Sequence, residues 1–327
     1  MDNRECKVSI LCAAYNHEAY IRDALESFVS QKTDFAFEVL VNDDASADGT
    51  AAIIREYAEK YPDIIRPFYQ PVNLYSLKKN VYEEFFIPKA RGKYLAFCEG
   101  DDYWTDPCKL QLQADFLDSH PTYSACVHNS VKHFCDGSAP DAPFIAPGLD
   151  RDLSFADVVQ GMSHAYHTSS LLGRKDILSR HPDFYHISFR YGVGDYPDAI
   201  WLALHGPIRF MERSMSVYRI CSNPGSWSSN LGAHYDKLKG FIVGEIDMLT
   251  AVRSHVSGEE LSLLNEEILQ REFELMFIEG RLADQLKPPY DRIYRSMDYK
   301  YKLKHFIKRS FPALHSLYRR KQGYGDW

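Results

Sequence analysis

The 327-residue chain has no apolar run approaching the length of a membrane span, and its first residues, Met1-Asp2-Asn3-Arg4-Glu5, contain no apolar signal core. Its seven cysteines, an odd number, include no Cys-x-x-Cys pair. Cys12, Cys98 and Cys126 sit in apolar runs, so reduced core thiols are expected rather than a zinc site or a disulfide framework. The absence of Gly-x-Gly-x-x-Gly argues against a dehydrogenase, and the absence of Gly-Lys-Ser/Thr against a P-loop enzyme. Cations are outnumbered by acids, 38 Lys and Arg to 45 Asp and Glu, for a net charge of -7. Such a surface repels phosphate backbones, so no nucleic-acid partner is expected. Internal repeats and low-complexity segments are missing too. Together these absences predict a cytoplasmic protein.

With 45% hydrophobic and 25% charged residues, the composition is that of a globular protein. The length suits one large domain plus an appendage. Over the first 120 residues strand and helix patterns alternate: strand 7–13, helix 18–31, strand 37–42, helix 48–60, strand 64–69, helix 76–90, strand 93–98 and helix 107–119. This predicts an α/β fold, a Rossmann-like mostly parallel mixed sheet with helices on both faces. A strand-like run from Tyr123 to Phe134 precedes a loop over 136–150, long enough to be a binding loop that closes over a ligand. Ser222-Asn223-Pro224-Gly225-Ser226 marks a break, and His234 to Leu286 reads as helical. The expected domains are 1–230 and 231–327.

Chemistry concentrates at the strand ends. The apolar run Tyr94 to Cys98 leads into Glu99-Gly100-Asp101-Asp102, which delivers several carboxylates to one sheet edge. Adjacent carboxylates repel, and partly buried ones are costly, so the pair calls for a cation in front of it. Ligation by oxygen alone favours Mg²⁺ or Mn²⁺, and these favour a phosphate-bearing substrate. A second acidic turn, Asn42-Asp43-Asp44-Ala45-Ser46, ends the run Phe37 to Val41, and the first strand runs out through Ala13-Ala14-Tyr15-Asn16-His17-Glu18. Ligands of open α/β sheets bind outside the carboxyl ends of the strands, so these turns can face one ligand.

These segments, Val8-Ser9-Ile10 to Glu18, Val41 to Thr50 and Gly92-Lys93-Tyr94 to Asp102, resemble in order and spacing the N-terminal half of family-2 glycosyltransferases with the GT-A fold, of the bacterial surface-polysaccharide type. A weaker likeness continues through His167-Thr168-Ser169-Ser170, Gly194-Asp195-Tyr196-Pro197 and Ser216 to Ile220. The resemblance implies an inverting, metal-dependent transferase that moves a sugar from a nucleotide-sugar donor, a UDP-sugar, to a glycan or polyprenyl-linked acceptor. It assigns Asp102 as direct Mn²⁺ or Mg²⁺ ligand, with Asp101 near the metal or the ribose. Asp44 and Asp43 would hold base or ribose and Tyr15 would stack on the base. Ala13, Asn16, Glu18, Lys79 and Asn80 join the nucleotide-sugar contacts. Asp195 would be the general base, with Asp198 competing for that role and for the helix cap. His164 and His167 are candidates for acceptor or phosphate contact, against the commoner role of an interior histidine. Where the family often has a histidine near the metal, this chain has Cys221. A sugar-phosphate nucleotidyltransferase is the alternative enzyme, disfavoured because no glycine-rich basic loop follows the first strand. A non-catalytic, partner-binding homologue is the remaining alternative.

From Tyr299 to Lys321 there are eight cations and no acid, interleaved with Leu303, Phe306, Ile307, Phe311, Leu314 and Leu317. Such a segment either lies on an anionic membrane surface or packs its apolar stripe on the domain. In the first case the protein would be peripheral on the inner face of the cell membrane.

Overall fold

The computed structural model describes residues 5–161, 165–189, 194–221 and 235–310. Two compact units make up the chain: Met1–Pro182 with Gly194–Cys221, and Asp183–Val193 with Ser222–Trp327. The chain therefore crosses between units after residues 182, 193 and 221, where the sequence pattern marked a single boundary after 230.

The first unit is built on one mixed sheet. Its elements are β1 (Cys6–Ala14), α1 (Ile21–Val29), β2 (Ala36–Asp43), α2 (Thr50–Lys60), β3 (Ile65–Tyr69), a π-helical turn Tyr82–Phe86 running into α3 (Ile87–Lys89), β4 (Tyr94–Phe97), β5 (Tyr103–Trp104) and α4 (Lys109–Ser119). There follow β6 (Ala125–Phe134), β7 (Ala142–Pro143), β8 (Arg151–Leu153), α5 (Phe155–Gly161), β9 (Leu172–Arg174) and α6 (Lys175–Leu178). After α7 (Asp183–Phe189), which belongs to the second unit, come α8 (Asp195–His205) and β10 (Ile208–Ile220). The strand order is β3-β2-β1-β4-β9-β6-β10-β5, with β1, β2, β3 and β4 parallel, β6 parallel to β10, and β9 antiparallel between the two groups.

Alternation explains the layering. Val8, Ile10, Cys12 and Ala14 of β1, Val39 and Val41 of β2, and Tyr94 and Ala96 of β4 share one buried cluster with Ile21, Leu25 and Phe28 of α1 and with Leu110, Ala114 and Leu117 of α4. Leu11, Leu40, Leu95 and Phe97, on the opposite face of the same strands, are buried as well. Burial on both faces is what parallel strands require. Within the sheet the fully buried Glu38 is neutralised by Arg66 and Arg91 and accepts from the Ser9 hydroxyl at 2.7 Å. Gly92 is obligatory: a Cβ there would lie 2.4 Å from the backbone nitrogen of Ser9.

Two expectations are corrected. The helix expected at 76–90 begins only at Tyr82, because Asn73 to Lys79 fold into turns: the Asn73 side chain accepts from Ser76 N at 2.7 Å, and Lys78 has φ 60°. The cysteines are not all reduced, since Cys135 and Cys221 form a disulfide. β6 and β10 pair in register through Phe134 and Ile220, so the next residue of each strand faces the other across 86 positions of sequence. The loop over 136–150 is anchored near its middle: β7 pairs with β6, Phe144 N donates to Ser130 O at 2.7 Å, and Asn129 holds Ile145 through both main-chain groups.

In the second unit, helices Tyr235–Val252 and Gly258–Ile278 match the helical pattern, with Leu264, Ile268, Phe273 and Met276 buried. Helix Tyr299–Ser310 packs one face: His305 is buried, its Nε2 3.1 Å from Leu282 O, and Tyr301 lies against Phe273 and Phe277. Its other face exposes Tyr299, Leu303 and Phe306 beside Lys300, Lys304 and Arg309. Residues 311–321 of the basic segment lie outside the described residues. Among the described residues no helix is long and apolar enough to cross a membrane.

Candidate active site

Main-chain bonds tie three strand ends into one edge. Ala14 O accepts from Asp44 N at 2.9 Å, and Ala13 O accepts from Gly100 N at 2.9 Å. The loop after β1 is fastened to the loop after β2: Asn16 Oδ1 accepts from Ala47 N, His17 N donates to Thr50 Oγ1, and Glu18 Oε2 accepts from Gly49 N. Asn16 adopts φ 55°, a left-handed conformation that asparagine tolerates. A Cβ on Gly49 would lie 2.4 Å from Glu18 Oε1, and one on Gly100 would crowd Ile21, His17 and Ala14. Asn16, Glu18, Asp48, Gly49 and Thr50 thus build the frame, and Tyr15 stands 45% exposed at its rim.

The two aspartates after β2 have different surroundings. Asp44 is buried, and its two carboxylate oxygens accept from Leu74 N at 2.7 Å and Tyr75 N at 3.1 Å, pinning the 73–79 turns. Asp43 is buried with Oδ1 lacking any hydrogen-bond partner, a costly state that a bound polar group would relieve. Asn80 Oδ1 caps the π-helical turn through Tyr82 N, and Lys79 lies 3.6 Å from Glu84.

After β4, Asp102 is buried. Its Oδ1 accepts from Arg219 N at 2.9 Å and its Oδ2 lies 3.7 Å from His167 Nε2. Asp101 Oδ2 lies 3.8 Å from His17 Nε2, and its Oδ1 is buried without a partner. Arg219 sits over the Tyr103 ring, donates to Asp101 O and pairs with Asp23. Burial, then the Asp101 charge, pushes Asp102 well above the usual carboxylate range, against the opposing pull of the Arg219 amide. Glu99 is solvent-accessible, yet the protein around it, followed by the charges of Asp101 and Asp195, lifts it to about 8. His167 is an interior residue, stacked on Tyr218 and pushed down to about 3 by burial, so it is neutral. Its Nδ1 accepts from Ser169, whose hydroxyl continues to Ser216 and Ser130. His164 lies outside the described residues.

The donor set fits a divalent cation in part. Asp101 offers an unpartnered buried oxygen, and burial beside Asp101 disfavours the ionised form of Asp102, a cost that a cation would offset. Among the described residues no three His, Cys, Asp or Glu side chains enclose a metal. Mg²⁺ commonly takes one or two carboxylates and completes its shell with phosphate oxygens and water. Cys221 is held in the disulfide, where a family histidine would have supplied a nitrogen.

Asp195 and Asp198 open α8 and separate clearly. Asp198 is buried and bonded to His181 Nε2 at 2.8 Å. Asp195 is open to solvent, and its Oδ1 accepts from Tyr196 N at 2.9 Å. Protein packed around this terminus lifts Asp195 to about 6, opposed by the Tyr196 amide, with the Asp198 charge adding to the rise. Its charge is felt by Glu99, which brings α8 and the acidic turn to one region.

Residues 9–175 match the sequence pattern described as Glycosyl transferase family 2. The chain belongs to this family. The family-2 chain is 37% identical over 234 residues to the uncharacterized protein Rv1520 of Mycobacterium tuberculosis, covering 71% of this chain and 63% of that one. It thus spans less than two thirds of that relative. A shorter match, 31% over 118 residues, joins it to the minor teichoic acid biosynthesis protein GgaB of Bacillus subtilis, over 34% of this chain and 12% of that one. In fold, the family-2 chain resembles S. aureus TarS 1-349 in complex with UDP-GlcNAc, with TM-score 0.61, 18% identity, and 93% and 79% of the two chains covered. The mannosyltransferase PcManGT from Pyrobaculum calidifontis, in complex with GDP-Man and Mn2+, gives TM-score 0.54 at 16% identity over 95% and 88%. The family-2 chain therefore has the GT-A architecture.

Proposed function

We propose that the protein is an inverting, metal-dependent glycosyltransferase that moves a sugar from a UDP-sugar to a hydroxyl of a glycan or lipid-linked acceptor in surface-polysaccharide synthesis. One observation carries this reading: buried, unpartnered carboxylate oxygens of Asp43 and Asp101 lie on strand ends bonded to each other through Ala13 and Ala14. Leaving a buried carboxylate oxygen without a partner is costly, and two on one edge support a polar ligand there. Tyr15 at the rim supports base stacking, Asp43 supports a hydrogen bond to base or ribose, and Asp44 acts by holding the 73–79 turns. A divalent cation held by Asp101 and Asp102 would neutralise charge on the departing diphosphate.

Asp195 takes the acceptor proton. As the acceptor oxygen bonds to the anomeric carbon, the bond from that carbon to the diphosphate oxygen breaks, and its electron pair leaves with the nucleoside diphosphate. A base with a pKa near 6 is ionised at neutral pH and remains basic enough to assist. Attack from the face opposite the nucleotide inverts the anomeric centre. The exposed cationic and apolar face of Tyr299–Ser310 supports attachment to an anionic membrane, where a lipid-linked acceptor is found. Release of UDP from UDP-GlcNAc and other UDP-sugars, with and without Mn²⁺, tests the reading. No release and no binding for any nucleotide sugar would refute it.

A further inference from the structure

His181 lies between two carboxylates of the first unit. Its Nδ1 is 3.1 Å from Glu83 Oε1 on the π-helical turn, and its Nε2 is 2.8 Å from Asp198 Oδ1 on α8. The imidazole is nearly fully buried, with 5% of its side chain exposed, and so is Asp198. A neutral imidazole has one N–H, so one of these contacts would set a lone pair against a carboxylate oxygen. Only the imidazolium donates to both.

The two elements it joins carry separate parts of the proposed chemistry. Glu83 follows Asn80, which caps the same turn on the donor side, and Asp198 lies one helical turn after Asp195. π-Helical turns are rare and recur at functional sites. We propose that His181 is a positioning residue: held as an imidazolium between Glu83 and Asp198, it ties the base helix to the donor-side turn and balances the Asp198 charge beside Asp195. This rests on Asp195 being the base. Among the described residues, the titratable groups bearing on His181 include Glu83 and Asp198, and those bearing on Asp195 include Asp198, Glu99 and Tyr166. The raised pKa of His181, about 9, agrees with the geometry: burial opposes it and the two carboxylates overcome that cost.

The test is NMR on the intact protein, with no ligand needed. ¹⁵N-histidine spectra at pH 7.5 should show His181 with both nitrogens protonated, assigned by its loss in His181→Gln. The carboxyl ¹³C titration of Asp195, assigned with Asp195→Asn, gives the second readout. His181→Gln removes a positive charge and should raise the Asp195 midpoint by about half a pH unit or more. Asp198→Asn removes a negative charge and should lower it by a similar amount. A purely structural bridge would move both variants alike or neither. A neutral His181 tautomer, or midpoints shifted in the same direction or by less than about 0.2 units, overturns the proposal. Should His181→Gln fail to fold, the wild-type spectrum, assigned by elimination against the other histidines, and Asp198→Asn still decide it. Full donor turnover in Asp195→Asn would sink the base assignment alone, leaving the charge coupling standing.

Discussion

The carboxylate of Asp102 accepts a hydrogen bond from the main-chain amide of Arg219, 2.9 Å away and 117 residues later. The acidic turn after β4 is thereby held by β10, and the Arg219 guanidinium holds the same turn again through Asp101 O. Asp102 is thus oriented by backbone, which leaves its other oxygen toward His167 and leaves Asp101 with a free buried oxygen. Orientation by main chain and neighbouring groups is what a ligand carboxylate needs to hold its geometry.

Asp195→Asn should lower turnover by roughly a hundredfold to ten-thousandfold with donor affinity nearly unchanged, because the amide keeps an oxygen to accept from Tyr196 N but takes no proton. In the wild type, the ionised form is the active one. Since the protein packed around it raises its pKa to about 6, kcat/KM is retained above that pH and declines as pH falls through it. Steady-state rates from pH 5 to 8 give the answer. A larger loss in Asp198→Asn than in Asp195→Asn would mean the base is misassigned.

Asp44→Ala removes the acceptor of two main-chain amides. Hydrogen bonds to a charged acceptor contribute about 1.5–3 kcal/mol each, so exchange at Leu74 and Tyr75 should accelerate by at least about tenfold. Amide exchange measured by mass spectrometry on that peptide decides the point. Unchanged protection would mean the turns hold without Asp44, freeing it for nucleotide contact.

Gly92→Ala should destabilise the first unit by about 1–3 kcal/mol, the usual cost of overpacking, because the new methyl meets the β1 backbone rather than a movable side chain. Urea unfolding reads this as a lower midpoint at unchanged slope. A midpoint equal to the wild type would contradict the close approach of Gly92 to Ser9.

Reversing Lys300 and Lys304 to Glu should weaken sedimentation of the full chain with phosphatidylglycerol vesicles at low salt, since each cation near an anionic surface contributes on the order of 1 kcal/mol. Both side chains are exposed, and the Lys304 ammonium also lies 5.2 Å from the centre of the Phe277 ring. If the wild type also stays in the supernatant, Tyr299–Ser310 is a packing helix only.

The strand ends were legible in sequence because each couples an apolar run to a polar turn: β4 and β6 lie within their expected spans, and β1 and β2 overrun theirs by one residue at each end. The α1 helix starts later than its pattern, at Ile21, because His17 O takes the amides of Tyr20 and Ile21 in a preceding turn. What stayed hidden depends on pairing between distant segments. Nothing local distinguishes Asp43 from Asp44, yet contacts from residues 73–75 occupy one and leave the other open. Cys135 and Cys221 meet only through the β6–β10 register, and His181 gave no signal at all, since Glu83 and Asp198 come from separate elements. Spacing did leave Asp195 and Asp198 as rivals, and burial beside His181 is what separates them.

Calorimetric binding of UDP-GlcNAc, with GDP- and dTDP-sugars alongside, in Mn²⁺ and then in EDTA, tests the account most directly. At a ligand concentration of 100 times Kd, the bound protein should gain about 2.7 kcal/mol of stability in Mn²⁺. In EDTA, and in Asp102→Asn with Mn²⁺, most of that gain should disappear while the unliganded protein stays folded. Binding of equal strength in EDTA, or no binding of any nucleotide sugar under either condition, would contradict a cation-assisted donor site at these strand ends.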